Sequence, residues 1–535
     1  MKKNWLASYP TGIPHNIAPL RHSSLGALIQ EACQTFSTHT AFVQDGSVLS
    51  YAQLNALSER LAAFLAVDLS LAEGERVALM MPNLLAYPLA VCGVFRAGCV
   101  VVNVNPMYTP RELKHQLRDS GARAIIVAEP FLATVNEVLA ETSVDTVIVV
   151  PMTGAPQSGT SLYDHSGATV LNTVLSTQSV MTPREQRHSD TAILQYTGGT
   201  TGPSKGAELT HGNMLSNIEQ FATWLDGTLR PGHEVVITAL PIYHIFALMV
   251  NTLSFLRIGG KNILISNPRD LPGLVATMQR EGCTAITGVN TLFNGLLNTP
   301  GFDQLNFTGL VLSMGGGAAV QPAVARRWQE VTGKILLEGY GLSETSPVLT
   351  VNKADGSPFR PGIGLPLPST EISIRDDDGK EVAIGEAGEL CARGPQVMRG
   401  YWNKPEENIK AFTDDGFFRT GDMAMQDEEG FFQIVDRKKD MVIVSGFNVY
   451  PNEIEAICAE HPGVLESACI GIPDEKTGEA VKVFVVKRDP ALTAQTLIDH
   501  CRKNLTAYKV PRQIQFLTEL PKSPVGKILR RELRG

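Results

Sequence analysis

No two of the eight cysteines stand in a Cys-x-x-Cys pair; they lie singly at positions 33, 92, 99, 283, 391, 458, 469 and 501. That spacing points to neither a zinc site nor a redox couple, and buried, reduced thiols in an intracellular compartment are the expectation. A basic field is missing too. With a net charge of −8, the chain has nothing to draw a phosphate backbone, which argues against nucleic acid as its main partner. No apolar stretch follows Lys2 and Lys3, so Met1 to Pro10 does not read as a signal peptide. Internal repeats and low-complexity tracts are lacking. Val235 to Leu256 carries no Asp, Glu, Lys or Arg and is long enough to span a bilayer. It contains Pro241, Tyr243, His244 and Asn251, which are costly in lipid. A buried strand, a polar turn at Pro241–His244 and a buried helix are predicted there instead of a span.

What remains is an ordinary globular composition, 43% apolar and 19% charged, over 535 residues, enough for two or more domains. From about residue 75 apolar strands alternate with helical patterns: Arg76–Met81, Leu84–Ala97, Val100–Val104, then a helix opening at Thr109-Pro-Arg-Glu112. Thr109 caps, Pro110 takes the first helical position and Glu112 closes a capping box. The rhythm resumes at Glu234–Thr238, Asn262–Ile265, Thr284–Thr287 and Leu310–Ser313, with helices over Leu271–Arg280 and Pro322–Val331 between them. Such alternation predicts parallel sheets covered by helices. Met152 to His188, rich in Gly, Ser, Thr and Pro, reads as a surface linker. After about residue 360, short strands and turns such as Asp376-Asp-Asp-Gly379 predict an antiparallel or barrel-like unit. The last hundred residues read as a compact α+β pattern.

The densest chemical signal is Tyr196-Thr-Gly-Gly-Thr-Thr-Gly-Pro-Ser-Lys-Gly206. Its four glycines admit close approach of an anion, and Thr197, Thr200, Thr201 and Lys205 supply donors to phosphate oxygens. It fails the Walker A pattern, because Pro203 stands where the second glycine belongs and Gly206 follows Lys205. Five further motifs follow. Met314-Gly-Gly-Gly-Ala-Ala319 offers backbone at the end of a strand; Gly339-Tyr-Gly-Leu-Ser-Glu-Thr345 offers an aromatic face, hydroxyls and a carboxylate suited to Mg²⁺. Phe418-Arg-Thr-Gly-Asp422 ends in a carboxylate able to accept two ribose hydroxyls. Pro521-Lys-Ser-Pro-Val-Gly-Lys527 precedes a basic tail (Arg530, Arg531, Arg534), which taken alone reads as a solvated face. Val435-Asp-Arg-Lys-Lys-Asp440 reads as a charged domain junction.

In this order and at these separations the motifs resemble the adenylate-forming superfamily, and within it bacterial long-chain fatty acid–CoA ligases. Leu240-Pro-Ile-Tyr-His-Ile-Phe-Ala247, Gly288–Phe293, Leu337–Gly341, Ile434–Glu455 and Pro521–Leu533 carry the closer likeness. The resemblance implies an α/β fold: a large N-terminal domain (residues 1–438) of two helix-covered, mainly parallel sheets plus a small barrel-like subdomain, then a small mobile α+β C-terminal domain (439–535) hinged at Lys439. It implies a ligase that converts a medium- or long-chain fatty acid and MgATP to acyl-AMP and pyrophosphate, then transfers the acyl group to CoA. A ligase loading an acyl carrier protein and a non-catalytic acyl or nucleotide sensor are the alternatives.

By the same resemblance, Thr197, Gly198, Gly199, Thr200, Thr201, Gly202 and Lys205 would grip the β- and γ-phosphates. Gly315, Gly316, Gly317 and Ala318, with Gly339, Tyr340 and Gly341, would hold adenine. Ser343 would contact phosphate and Glu344 would hold Mg²⁺. Asp422 would accept the ribose hydroxyls, assisted by Arg437. Lys527 would bridge the substrate carboxylate and α-phosphate, and His244 would sit beside that carboxylate. Gly446 would line a channel for CoA after the small domain rotates. Gly288–Phe293, Ile245 and Phe246 would build the acyl pocket. A cytoplasmic protein is implied, at most peripheral at the inner membrane face because Met152–His188 is short and nearly free of Lys and Arg; a homodimer stays open.

Overall fold

The computed structural model describes residues 3–152, 156–157, 168–197 and 203–534. Two large sheets form its body. The first has eight strands: Gly400–Tyr401, Lys205–Thr210, Thr191–Thr197, Val100–Asn103, Arg76–Met80, Ala124–Ala128, Thr146–Val150 and Thr169–Val170, in that spatial order. All neighbours from Thr191–Thr197 onward are parallel, and the first two pairings are antiparallel. The second has nine strands, with Leu337–Gly341, Leu312–Gly315, Ala285–Gly288, Val235–Thr238, Lys261–Leu264 and Thr40–Gln44 parallel at its centre. Central strands such as Ala124–Ala128 are buried along their whole length, which is why they read as continuous apolar runs.

Local chemistry sets the helix ends. At Thr109 the hydroxyl accepts from Glu112 N (3.4 Å) and the Glu112 carboxylate accepts from Thr109 N (2.9 Å), so two orphan amides are satisfied reciprocally. Gly121 ends that helix at φ +62°, a backbone region in which a side chain is strained. Over Val235–Leu256 the strand Val235–Thr238 is followed by a turn and a buried helical stretch, Ala247–Leu253, wound as a π-helix. No helix of the described residues is long and apolar enough to cross a membrane.

Beyond residue 360 come two smaller sheets. Glu371–Arg375, Gly388–Arg393, Phe418–Gln426 and Phe432–Arg437 form an antiparallel four-stranded sheet. Val442–Val444, Phe447–Val449, Val464–Asp474, Gly478–Lys487 and Gln513–Leu517 form the last one, packed by the helices Pro451–Ala459 and Ala494–Asn504 around their own core.

Three readings of the sequence change. The described part of Met152–His188 is not a loose linker: Thr169–Val170 pairs on the edge of the eight-stranded sheet, and Arg184 donates to the carbonyls of Ala97 and Leu71. The strand expected at Leu310–Ser313 is Leu312–Gly315, paired through Gly315 to Glu338. Phe293, expected to line an acyl pocket, is fully buried in the core, its ring edge-on against Trp328 at 4.9 Å.

Candidate active site

The run expected to bind phosphate is flanked by two paired strands. Thr191–Thr197 and Lys205–Thr210 run antiparallel, with Thr197 opposite Lys205. Gly198, Gly199, Thr200, Thr201 and Gly202 lie outside the described residues. The second strand had no sequence signal, because Lys-Gly-Ala-Glu-Leu-Thr alternates poorly. The helix His211–Trp224 then starts on a Thr210 cap, whose hydroxyl accepts from Asn213 N. At the start of the second strand, Lys205 Nζ lies 2.8 Å from Glu407 Oε2 and 4.6 Å above the Tyr401 ring. Tyr401 OH donates to Glu344 Oε1 at 2.9 Å. One tyrosine therefore joins the phosphate-loop lysine to the acidic residue of the Gly339–Thr345 motif. Gly400-Tyr401 shows nothing in sequence that marks it; only the sheet pairing to Ala207 brings it here.

Glu344 is buried, and burial lifts its carboxyl above the usual range while Tyr401 and Lys205 oppose the rise. Among the described residues no cluster of three or more His, Cys, Asp or Glu surrounds it. A single buried carboxylate beside a phosphate loop suits Mg²⁺, which keeps its waters and takes the remaining oxygens from substrate phosphates. The residues present thus fit that ion.

The glycines form a wall where two strands end. A Cβ added at Gly316 would meet Gly339 O and the Phe246 ring, each at 3.2 Å, and Gly317 has φ +74°. A Cβ at Gly341 would overlap the Pro347 carbonyl oxygen, so close backbone packing alone demands glycine there. Tyr340, between them, donates its hydroxyl to Asp422 Oδ2 at 2.7 Å. Burial and the adjacent Asp422 hold the phenol well above its ordinary pKa, so it stays a donor. Arg437 stands across the ladder from Asp422, with Nε 3.6 Å from Oδ1.

Lys527 comes to this cluster from the far end of the chain. Burial, then the nearby Arg437 charge, push its ammonium down to about 7, while Asp422 opposes the shift. Among the described residues no carboxylate forms an ion pair with it. Its turn is tied down by Thr291, whose hydroxyl donates to Gly526 O at 3.0 Å, and by Ser523, which accepts from Lys527 N at 3.1 Å. His244 faces the same space: burial and the Lys527 charge lower its pKa to about 4, so it is a neutral imidazole at physiological pH. Its Nδ1 accepts from Phe246 N at 3.3 Å, which leaves Nε2 to carry the proton.

The structure therefore brings together Thr197, Lys205, Glu344, Tyr340, Asp422, Arg437, Lys527 and His244 around the glycine walls. Lys439 lies close enough for its charge to act on Lys527. Ser343 stands in the short 3₁₀ turn with Glu344. Gly446 is not among them: it sits at an exposed hairpin tip at φ +84°, next to Ser445, whose amide donates to Thr477 O. Within the basic tail Arg531 and Arg534 are exposed, but Arg530 departs from a solvated face. Arg530 is largely buried, ion-paired with Asp436 at 2.9 Å and Glu455 at 2.8 Å.

Residues 29–402 match the AMP-binding enzyme family and residues 453–527 the AMP-binding enzyme C-terminal domain. The long-chain-fatty-acid–CoA ligase of Salmonella typhimurium is 52% identical over all of this chain and 98% of its own length. The enzyme of the same name from Bacillus subtilis is 37% identical over 99% of this chain and 98% of its own. Among solved structures, ATP-bound MatB from Rhodopseudomonas palustris superposes with a TM-score of 0.85 at 30% identity, covering 96% of this chain and 98% of that one. End to end, in sequence and in fold, the chain belongs to the family of AMP-binding enzymes.

Proposed function

We propose that the protein is a fatty acid–CoA ligase that works through an acyl-adenylate. The observation that carries this reading is the placement of Lys527, a half-buried ammonium that forms no ion pair among the described residues, beside Asp422 and the neutral His244. A permanent partner would have neutralised it; a site that must bring two anions together needs it unpaired. The ligases of the same name at 37–52% identity supply the substrate class.

The first half-reaction joins a carboxylate oxygen to the α-phosphorus of ATP and expels pyrophosphate. Its physical obstacle is repulsion between anions: at an effective dielectric near 20, each like-charge pair at about 4 Å costs roughly 4 kcal/mol. Lys205 meets the outer phosphates and Lys527 the point where carboxylate and α-phosphate converge. Bound at Glu344, Mg²⁺ supplies further charge neutralisation on the phosphates. Asp422, oriented by the Tyr340 hydroxyl, accepts the ribose hydroxyls, and the glycine walls flank adenine. His244 donates from Nε2 to the substrate carboxylate without adding a charge that would compete with Lys527.

In the second half-reaction the CoA sulfur attacks the acyl carbon, the bond to AMP breaks, and the thiol proton leaves to solvent. Lys527 has no further role once the two anions are joined. The exposed Gly446 hairpin belongs to a small domain that begins at Lys439 and that repositions for this step.

The test is product analysis with MgATP, CoA and saturated acids of rising chain length. AMP, pyrophosphate and an acyl-CoA are expected. No AMP with any acid sinks the reading, and an acyl-adenylate that accumulates without thioester favours a carrier-protein acceptor.

A further inference from the structure

Arg530 follows Lys527 by three residues, yet its side chain turns to Asp436, Glu455 and Asn452 and is only 14% exposed. Its Nε and Nη2 take both oxygens of Glu455, at 2.9 and 2.8 Å. Its Nη1 donates to Asp436 Oδ1 at 2.9 Å, and Nη2 also reaches Asn452 Oδ1. Asp436 is wholly buried and otherwise accepts only from backbone, from Arg437 N at 2.8 Å and Asn452 N at 2.9 Å. Among the described residues the guanidinium is thus the one side-chain cation within ion-pair range of a carboxylate that water does not reach.

The position of that carboxylate gives the contact its meaning. Asp436 precedes Arg437 in the strand Phe432–Arg437, and Arg437 stands opposite Asp422. Glu455 and Asn452 lie on the helix Pro451–Ala459 of the last α+β unit. Arg530 therefore ties three pieces at one point: the strand beside the ribose carboxylate, the helix of the small unit, and the tail that bears Lys527. Between Arg530 and Lys527 the backbone is held by Leu529 N on Pro521 O at 2.8 Å and by a bridge from Ile528 to Lys522. A displacement at Arg530 is transmitted to Lys527 through two residues of constrained chain. On the substrate side the turn has just the Thr291 hydroxyl and the close fit of Gly526 against Val289.

We propose that Arg530 is a positioning residue for adenylation, a latch on Asp436 that holds Lys527 at the point where carboxylate and α-phosphate meet. It touches no substrate. The inference rests on Lys527 acting in the first half-reaction and being dispensable in the second. Lysine cannot replace arginine here, because one ammonium cannot span Glu455 and Asp436 at once.

The experiment separates the two half-reactions in the full-length protein. Adenylation is read by fatty-acid-dependent ATP–pyrophosphate exchange, and thioester formation by giving preformed oleoyl-adenylate and CoA. For Arg530→Ala, exchange is expected to fall about 10²-fold in kcat with the KM for ATP unchanged, the scale of an ångström-level misplacement of a catalytic group. Arg530→Lys and Asp436→Asn are expected to fall less but in the same step, with transfer from oleoyl-adenylate retained. If Arg530→Ala does not fold, Arg530→Lys and Asp436→Asn decide alone. Wild-type exchange in any folded variant, or a parallel loss of both half-reactions in all of them, overturns the latch. A wild-type protein that shows no exchange with any fatty acid overturns the adenylating function itself and the latch with it.

Discussion

Asp422 lies in the interior of the nine-residue strand Phe418–Gln426, paired across the ladder to Arg437 and hydrogen-bonded to Tyr340 from another sheet. Lys527 rides on a turn near the chain end, held by Thr291, Ser523 and, through Arg530, by Asp436. One group is fixed by a sheet and the other by a handful of polar contacts between units. The second is in place only when those contacts are made, which suits the proposed role of a cation needed for one half-reaction and dispensable in the next.

The sharpest way to break this contrast is to remove the movable member. Lys527→Ala is expected to lower ATP–pyrophosphate exchange by about 10³-fold, the scale of losing one preorganised charge stabiliser, while transfer from supplied acyl-adenylate to CoA persists. Equal loss of both steps would make Lys527 as permanent a part of the site as Asp422. The fixed member is tested by Gly341→Ala, whose new methyl would run into the Pro347 carbonyl. A destabilisation of about 3 kcal/mol and loss of both half-reactions together are expected, read by thermal melting and by the paired assays. A normal melting point would show that the wall can yield.

A smaller effect should follow from Tyr340→Phe. The hydroxyl donates to an ionised, buried carboxylate, a bond worth about 2 kcal/mol, so nucleotide affinity is expected to fall about 30-fold. Isothermal titration with AMP reads it directly, and an unchanged affinity would mean that Asp422 needs no help in facing the ribose.

How much of this was legible beforehand follows the same division. The fixed wall was readable because its causes are local: three consecutive glycines after a strand, glycines flanking Tyr340, and the capping box at Thr109 each state their geometry in a few residues. The latch was not. Arg530 belongs to a run of basic residues that describes a solvated face equally well, and its partners Asp436 and Glu455 lie 94 and 75 residues away in the chain. Tyr401 was invisible for the same reason, since only the pairing of Gly400–Tyr401 on the strand Lys205–Thr210 sets it beside Glu344. Phe293 is the opposite case. It lies in a motif that resembles an acyl pocket, while the packing of Trp328 holds its ring in the core.

The mildest perturbation is pH. Lys527 is needed charged, and its ammonium is lowered to about 7 in the folded protein by burial and by Arg437. As pH rises from 6 to 8 the protonated fraction falls about tenfold, so kcat/KM for adenylation should decline by that factor with a midpoint near the shifted value. His244 contributes nothing to this window, because it is already neutral above about 4. The residual exchange of Lys527→Ala should be flat over the same range, and a matching decline in that variant would assign the titration to another group. Stability responds with the opposite sense to activity. A lysine whose folded pKa lies below its unfolded value disfavours the fold while it is charged, so the penalty is complete below about pH 7 and fades as pH approaches the ordinary lysine value. Lys527→Ala should therefore melt higher than the wild type at pH 6 and converge with it at high pH. That melting behaviour is the mark of a cation retained for chemistry at a cost to the fold.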